Sequence, residues 1–196
     1  MTAASTVRIS FWLLPADPDA AWLRERMQQL AARHAGPAFE PHVTLHVGPQ
    51  SVDLAVEPLM AAQARQSRPL ELECADTAHS DAYYKALFVR LPADRADGAG
   101  LTELRQGLVA RLSTAGAPAS DYAFDPHLSL LYGGIDAAVR QELAAEQRLS
   151  GRRIRFDRLA AVRPAPGSVD LARVADWEVF GHCRLGLPLP RTLQAE

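Results

Sequence analysis

Apolar positions along the chain fall into two kinds of run, one alternating or continuous over short stretches and the other recurring at helical spacing. Residues 7–14, VRISFWLL, are rich in β-formers and predict a strand. Asp17 followed by Pro18 then offers an N-cap and an N1 proline for the helix DAAWLRERMQQLAARHA, which Gly36 closes. Residues 42–47 predict a second strand, and Ser51 caps a helix across 52–66 in which Pro58 is a weak point. Leu70–Ala75 and Tyr84–Leu91 predict two more strands, separated by the polar loop DTAHSDAY. A helix over 101–115, a strand over 127–132, a helix over 136–149 and strands over 153–163 and 176–186 complete the pattern. The order β-α-β-α-β-β followed by α-β-α-β-β reads as two related halves and favours an α+β fold, with residues 1–196 forming one domain of two intimate lobes.

Composition narrows the classes. Forty-eight per cent of the 196 residues are hydrophobic and 22% are charged, which places the chain among globular proteins. No apolar run approaches the ~18 residues of a membrane span, and the opening MTAASTVRISFWLLP lacks the features of a secretory leader. A cytoplasmic protein with no membrane partner is expected, and a monomer. Cys74 and Cys183 stand at no metal-like or redox spacing and are expected to be reduced thiols. A net charge of −2 argues against coating long nucleic acid, although a terminal or small phosphate target stays open. Lys85 is the only lysine beside 20 arginines, which reads as a composition signature of the source. Glycine-rich phosphate loops of the GxGxxG and GxxxxGK[ST] types and the GxSxG elbow are absent.

Internal similarity appears at Pro41-His42-Val43-Thr44-Leu45-His46-Val47-Gly48 and at Pro126-His127-Leu128-Ser129-Leu130-Leu131-Tyr132-Gly133. Both octets read P-H-h-[S/T]-L-x-h-G, where h is apolar or aromatic, and average residue usage yields such an octet by chance on the order of 10⁻⁷ times per position. Each starts at a proline, is rich in large apolar residues and ends at glycine, so each predicts a short buried strand. In a strand, residues two apart share a face. His42 therefore projects with Thr44, and His127 with Ser129, while Val43, Leu45, Leu128 and Leu130 face the other way. A pseudo-twofold between the halves would bring two imidazoles and two hydroxyls into one cleft. Such a set suits in-line displacement at phosphorus: one neutral His takes a proton from water, a protonated one gives a proton to the departing oxygen, and the hydroxyls hold non-bridging oxygens. No metal and no cofactor is needed for this chemistry.

The paired motifs His42-Val43-Thr44-Leu45 and His127-Leu128-Ser129-Leu130-Leu131-Tyr132-Gly133, with the strand end Ser10-Phe11-Trp12-Leu13-Leu14-Pro15, resemble the two-histidine (2H) phosphoesterase superfamily, and within it the cyclic phosphodiesterase branch. The resemblance spans essentially the whole chain. It implies a bilobal α+β fold, with an active-site cleft between two pseudo-symmetric lobes that each carry an antiparallel sheet flanked by helices. It also implies opening of 2′,3′-cyclic nucleotides or ADP-ribose 1″,2″-cyclic phosphate to monoesters. Carried over residue by residue, it marks His42 and His127 as catalytic, Thr44 and Ser129 as phosphate-binding, and Trp12 and Tyr132 as substrate contacts. Pseudo-symmetry nearly hides the division of labour; His127 is taken as the base and His42 as the acid. Within the same superfamily, a 2′,5′-type RNA ligase or RNA-end phosphodiesterase is the alternative, disfavoured by the lack of a basic face. A non-catalytic binder of cyclic-phosphate RNA ends is a third reading, but one expected to have lost a histidine or both hydroxyls.

Plainer explanations compete at each residue. A single His in an apolar strand is usually a core residue, but the duplicated hydroxyl two positions on argues against that here. The H-x-x-x-H spacing of His42 and His46 chelates zinc on a helix, whereas in a strand the two lie ~13 Å apart. Ser129 as a nucleophile activated by its own neighbour His127 fails because the two side chains run parallel. Trp12, set among Phe11, Leu13 and Leu14, fits the core as readily as base stacking. Tyr132 has the parity opposite to the motif histidine, which points it away from His127 unless the strand twists or bulges.

Overall fold

The computed structural model describes residues 6–51, 54–93, 100–165 and 173–186. Eight strands, β1 (Thr6–Pro15), β2 (Val43–Ser51), β3 (Leu70–Glu73), β4 (Thr77–His79), β5 (Leu87–Arg90), β6 (His127–Leu131), β7 (Arg153–Pro164) and β8 (Trp177–Arg184), alternate with four helices. These are α1 (Asp19–His34), α2 (Val56–Gln66), α3 (Leu101–Thr114) and α4 (Ala137–Glu146). The strands run β3-β7-β1-β2-β6-β5-β4, with β8 also pairing β7, and every pairing is antiparallel. Extensive ladders hold β3, β7, β8, β1 and β2 together, and β6, β5 and β4 form a second group. The groups meet through one residue pair, Val43 with Leu128. The bilobal α+β arrangement read from the sequence is thus built as two antiparallel halves joined at the two motif strands.

Alternation along β1 separates the two sides of the sheet. Ile9, Phe11 and Leu13 join Val43, Leu45, Leu128 and Leu130 in the main core, into which all four helices send apolar side chains such as Leu23, Met60, Leu108 and Leu143. The opposite parity places Trp12 and Leu14 in a separate cluster with Ala160, Val162 and Trp177. Trp12 is therefore buried on the side facing away from the helices, whereas Phe11 and Leu13 belong to the ordinary core.

Several local expectations are revised. Helix α1 begins at Asp19 after Pro18 without a side-chain cap, so Asp17 does not serve as N-cap. The carboxylate of Asp19 accepts instead from the Arg155 N–H. Ala35 takes the left-handed conformation at the end of this helix, with φ 51°. Gly36 matters for a different reason: a Cβ there would stand 2.7 Å from the Tyr132 carbonyl oxygen. Ser51 ends β2, paired with Thr6, because the ladder with β1 carries the strand past residue 47, and the N-cap position of α2 falls to Ala55 instead. The stretch 52–53 lies outside the described residues, and α2 starts at Val56, which puts Pro58 in the first turn where no intrahelical N–H bond is lost. Tyr83–Lys85 form a 3₁₀ turn rather than strand, and Thr77–His79 of the polar loop pair with β5 as a hairpin.

Candidate active site

The single pair that joins the halves sets the register of the site. Val43 and Leu128 are fully buried on the helix-covered side. Antiparallel pairing about them brings His42 level with Ser129 and Thr44 level with His127, all four on the opposite face. A pseudo-twofold axis passes between the strands, and each imidazole lies across from the other strand's hydroxyl. Those four side chains line one cleft of about 540 Å³, together with Arg8, Ser10, Trp12, Val47, Tyr84, Tyr122, Tyr132 and Trp177.

Both rings are held by the same device. His42 Nδ1 lies 2.6 Å from the Glu40 carbonyl oxygen, and His127 Nδ1 lies 2.6 Å from the Asp125 carbonyl oxygen. A carbonyl only accepts, so Nδ1 carries the proton in each ring and Nε2 is the atom left for chemistry. Each carbonyl belongs to the acidic residue before the motif proline, so the repeat extends one position upstream, as Glu40-Pro41-His42 and Asp125-Pro126-His127. That signal was present in the sequence, although it is the backbone of the acidic residue that holds the ring.

Burial acts against a charged imidazole at both positions. His42 is only 6% exposed, and desolvation pushes its pKa down to about 4, with His127 adding repulsion and the Glu40 carbonyl opposing the shift. The pKa of His127 is lowered too, first by burial and further by Lys85, while Asp125 works the other way through its carbonyl and its charge. Before an anion enters, the cleft therefore favours two neutral imidazoles, with the bias strongest at His42. This runs counter to His42 serving as acid in the empty cleft.

Aromatic rings build the walls. Trp12 stacks on His42, with ring centroids 3.7 Å apart and an 8° interplanar angle, and its Nε1 donates to Ser10 Oγ at 2.7 Å. One face of the indole is thus covered by the imidazole. Tyr132 reaches the cleft despite its strand parity, because β6 ends at Leu131 and Tyr132 lies beyond the ladder. Its ring stacks on Phe39 at 3.6 Å and meets Tyr84 edge-on at 5.4 Å. Trp177, contributed by β8, meets Trp12 edge-on at 5.4 Å and His42 edge-on at 6.4 Å.

The two hydroxyls differ in setting. Ser129 Oγ donates to the Tyr84 carbonyl at 2.9 Å and also hydrogen-bonds the Tyr132 hydroxyl, so its proton must turn to meet a ligand. On the other strand, Thr44 stands half-buried on the cleft wall, and its carbonyl accepts from the Tyr122 hydroxyl at 3.2 Å. Lys85, treated in the sequence only as a compositional oddity, ion-pairs with Asp125 and rests its Nζ 4.3 Å from the centre of the Phe88 ring. It thereby braces the loop whose carbonyl holds His127. Lys85, Tyr84, Tyr122 and Trp177 were missed in the sequence, because turns and distant strands bring them in without a repeated pattern.

Four residues on from His42, His46 would share its face, but the β1–β2 register shifts between the Trp12–Thr44 and Phe11–His46 pairs, so His46 is buried on the other side, against Phe11 and Tyr122. Among the described residues no group of three or more His, Cys, Asp or Glu side chains is placed to hold a metal ion. Cys74 and Cys183 are free thiols. No helix among the described residues is long and apolar enough to cross a membrane.

Comparison with known proteins gives the site a setting. No curated protein matches the chain. Among solved structures, Escherichia coli LigT complexed with 3′-AMP superposes with a TM-score of 0.58 at 19% identity, covering 93% of this chain and 100% of that one. The Thermus thermophilus protein TT0787 superposes with a TM-score of 0.55 at 18% identity, covering 91% and 98%. At such identities the likeness establishes the fold. The family model described as the 2′-5′ RNA ligase superfamily matches residues 15–167, a span that holds both histidine motifs, and the chain belongs to that superfamily of two-histidine phosphoesterases and ligases.

Proposed function

We propose that the protein is a metal-independent, cytoplasmic cyclic phosphodiesterase that opens a nucleotide-like cyclic phosphate, a 2′,3′-cyclic nucleotide or ADP-ribose 1″,2″-cyclic phosphate, to a phosphomonoester. The observation that carries this reading is the matched pair of rings: two imidazoles, each fixed through Nδ1 to a carbonyl, with Nε2 left free and a hydroxyl across from each. Nucleotide ligands accord with the aromatic walls, and LigT has been crystallised with 3′-AMP, ATP and NADP+.

In this reaction water attacks phosphorus while His127 Nε2, the more accessible ring, removes its proton. The new P–O bond forms as the ring P–O bond opposite it breaks, and His42 Nε2–H protonates the departing oxygen. His42 takes up its proton only once the phosphate anion is beside it, since a nearby negative charge raises the pKa that burial has lowered. Parallel stacking on Trp12 adds a cation–π attraction for the imidazolium. Thr44 and Ser129 hold the non-bridging oxygens, and Tyr132 and Trp12 shape the cavity around the nucleotide. After turnover the proton has moved from one ring to the other through water and product, and exchange with solvent resets the pair.

Incubation of chelator-treated protein with 2′,3′-cyclic mononucleotides and ADP-ribose cyclic phosphate, followed by phosphorus NMR, tests the assignment. A cyclic phosphate resonance replaced by that of a monoester is the expected result. A ligand that binds tightly yet stays cyclic would decide for a non-catalytic binder.

A further inference from the structure

Resting on the reaction proposed above, we infer that Arg8 forms a second anion subsite in the same cleft, selecting substrates that carry another phosphate one ribose away from the cyclic one. Alternation along β1 puts Arg8, Ser10 and Trp12 on one face, and all three line the cleft. Their partners on β2 step outward in the same order, Thr44 beside Trp12, Val47 beside Ser10 and Pro49 beside Arg8. With a strand rise of ~3.3 Å per residue, Arg8 stands ~13 Å along the floor from the level of Trp12 and the reacting groups. A guanidinium turned along the floor toward that level would hold an anion about one nucleotide unit from the cyclic phosphate.

Charge points the same way. Of the twelve residues lining the cleft, Arg8 is the one with a permanent charge, and no carboxylate side chain is among them. Among the described residues Arg8 makes no ion pair and no side-chain hydrogen bond, whereas other surface arginines such as Arg24, Arg153 and Arg163 are paired with glutamates. An exposed, unpaired guanidinium at the rim of an anion site, presenting a planar fork of donors, matches phosphate bidentately. The chemistry is shared by a free nucleotide with a 5′-phosphate, by the pyrophosphate of ADP-ribose cyclic phosphate and by the last internucleotide phosphate of an RNA end.

The experiment compares three substrates on one ribose: 2′,3′-cyclic AMP with a 5′-hydroxyl, its 5′-phosphorylated form, and the dinucleotide ending in the same cyclic phosphate. The wild type is expected to favour the two phosphorylated forms by about tenfold or more in kcat/KM, the size of one charge-assisted contact at a partly solvated site, and to lose that preference as salt is raised. A preference for the mononucleotide over the dinucleotide would assign the subsite to small nucleotides, and the reverse to RNA ends. Arg8→Gln should bring the ratio of phosphorylated to unphosphorylated substrate to within about twofold of unity, and Arg8→Lys should keep part of it. Equal wild-type efficiency on all three, or a preference that survives Arg8→Gln, overturns the subsite while leaving the ring-opening reaction standing. Equilibrium binding of adenosine 2′-monophosphate against adenosine 2′,5′-bisphosphate reads the subsite without turnover. If no cyclic phosphate is opened, the reaction fails, and tighter wild-type binding of the bisphosphate that Arg8→Gln abolishes still upholds the subsite.

Discussion

Burying a neutral histidine couples the site to the stability of the whole chain. In the unfolded chain His42 titrates near 6.5, whereas in the folded cleft it does so at about 4, so between these values the unfolded state binds a proton that the folded state refuses. Folding stability contributed by this group is complete above pH 6.5 and is lost as pH falls toward 4, with a slope of ~1.4 kcal/mol per pH unit inside the window. Between pH 7 and pH 5 the loss amounts to ~2 kcal/mol, a large share of the stability of an ordinary domain. His42→Phe preserves a flat ring against Trp12 and removes the titration; the unpaired Glu40 carbonyl it leaves costs the same at every pH. Urea denaturation of both proteins at several pH values isolates the effect, since all other titrating groups are common to the two. Wild type should lose ~2 kcal/mol more than the variant between pH 7 and pH 5, and saturating inorganic phosphate should narrow the difference by favouring the imidazolium. Parallel stability curves for the two proteins would refute the assignment of a buried, neutral His42.

Three further outcomes follow from the same geometry. His42→Ala and His127→Ala should each lower kcat by ~10²–10⁴-fold with the fold retained, as checked by circular dichroism, and a variant keeping more than a tenth of wild-type turnover would end the two-histidine mechanism. Thr44→Val and Ser129→Ala should each reduce kcat by ~10–10³-fold, and more than they weaken substrate affinity, because donors to non-bridging oxygens tighten as charge gathers there. The pH profile of kcat/KM, which reports the free enzyme, should be a bell whose maximum lies below pH 6.5, since burial lowers the pKa of both rings; a maximum on the alkaline side would contradict that environment.

Strand periodicity made the chemical core of this protein readable without coordinates. A period of two forces His42 with Thr44 and His127 with Ser129 onto common faces wherever those segments are extended, and the prolines, β-branched residues and terminal glycines leave little alternative to extension. The helices expected over 101–115 and 136–149 were equally legible, and the structure has them over Leu101–Thr114 and Ala137–Glu146, the second capped by the Asp136 carboxylate, which accepts from the Ala138 N–H. Local signals failed where a partner strand decides: β2 continues to Ser51 because β1 pairs with it, and Thr77–His79 become a strand only against β5. The single Val43–Leu128 pair, which crosses each imidazole with the opposite hydroxyl, joins residues 85 positions apart, and no local preference encodes that contact. Tyr132 shows the same limit, because parity governs a side chain only while the ladder lasts and this one ends a residue earlier. Burial likewise belongs to the assembled molecule: Trp12 covering His42 and Lys85 bracing the loop of His127 set the protonation of both rings, through desolvation and charge that exist only once distant segments have packed together.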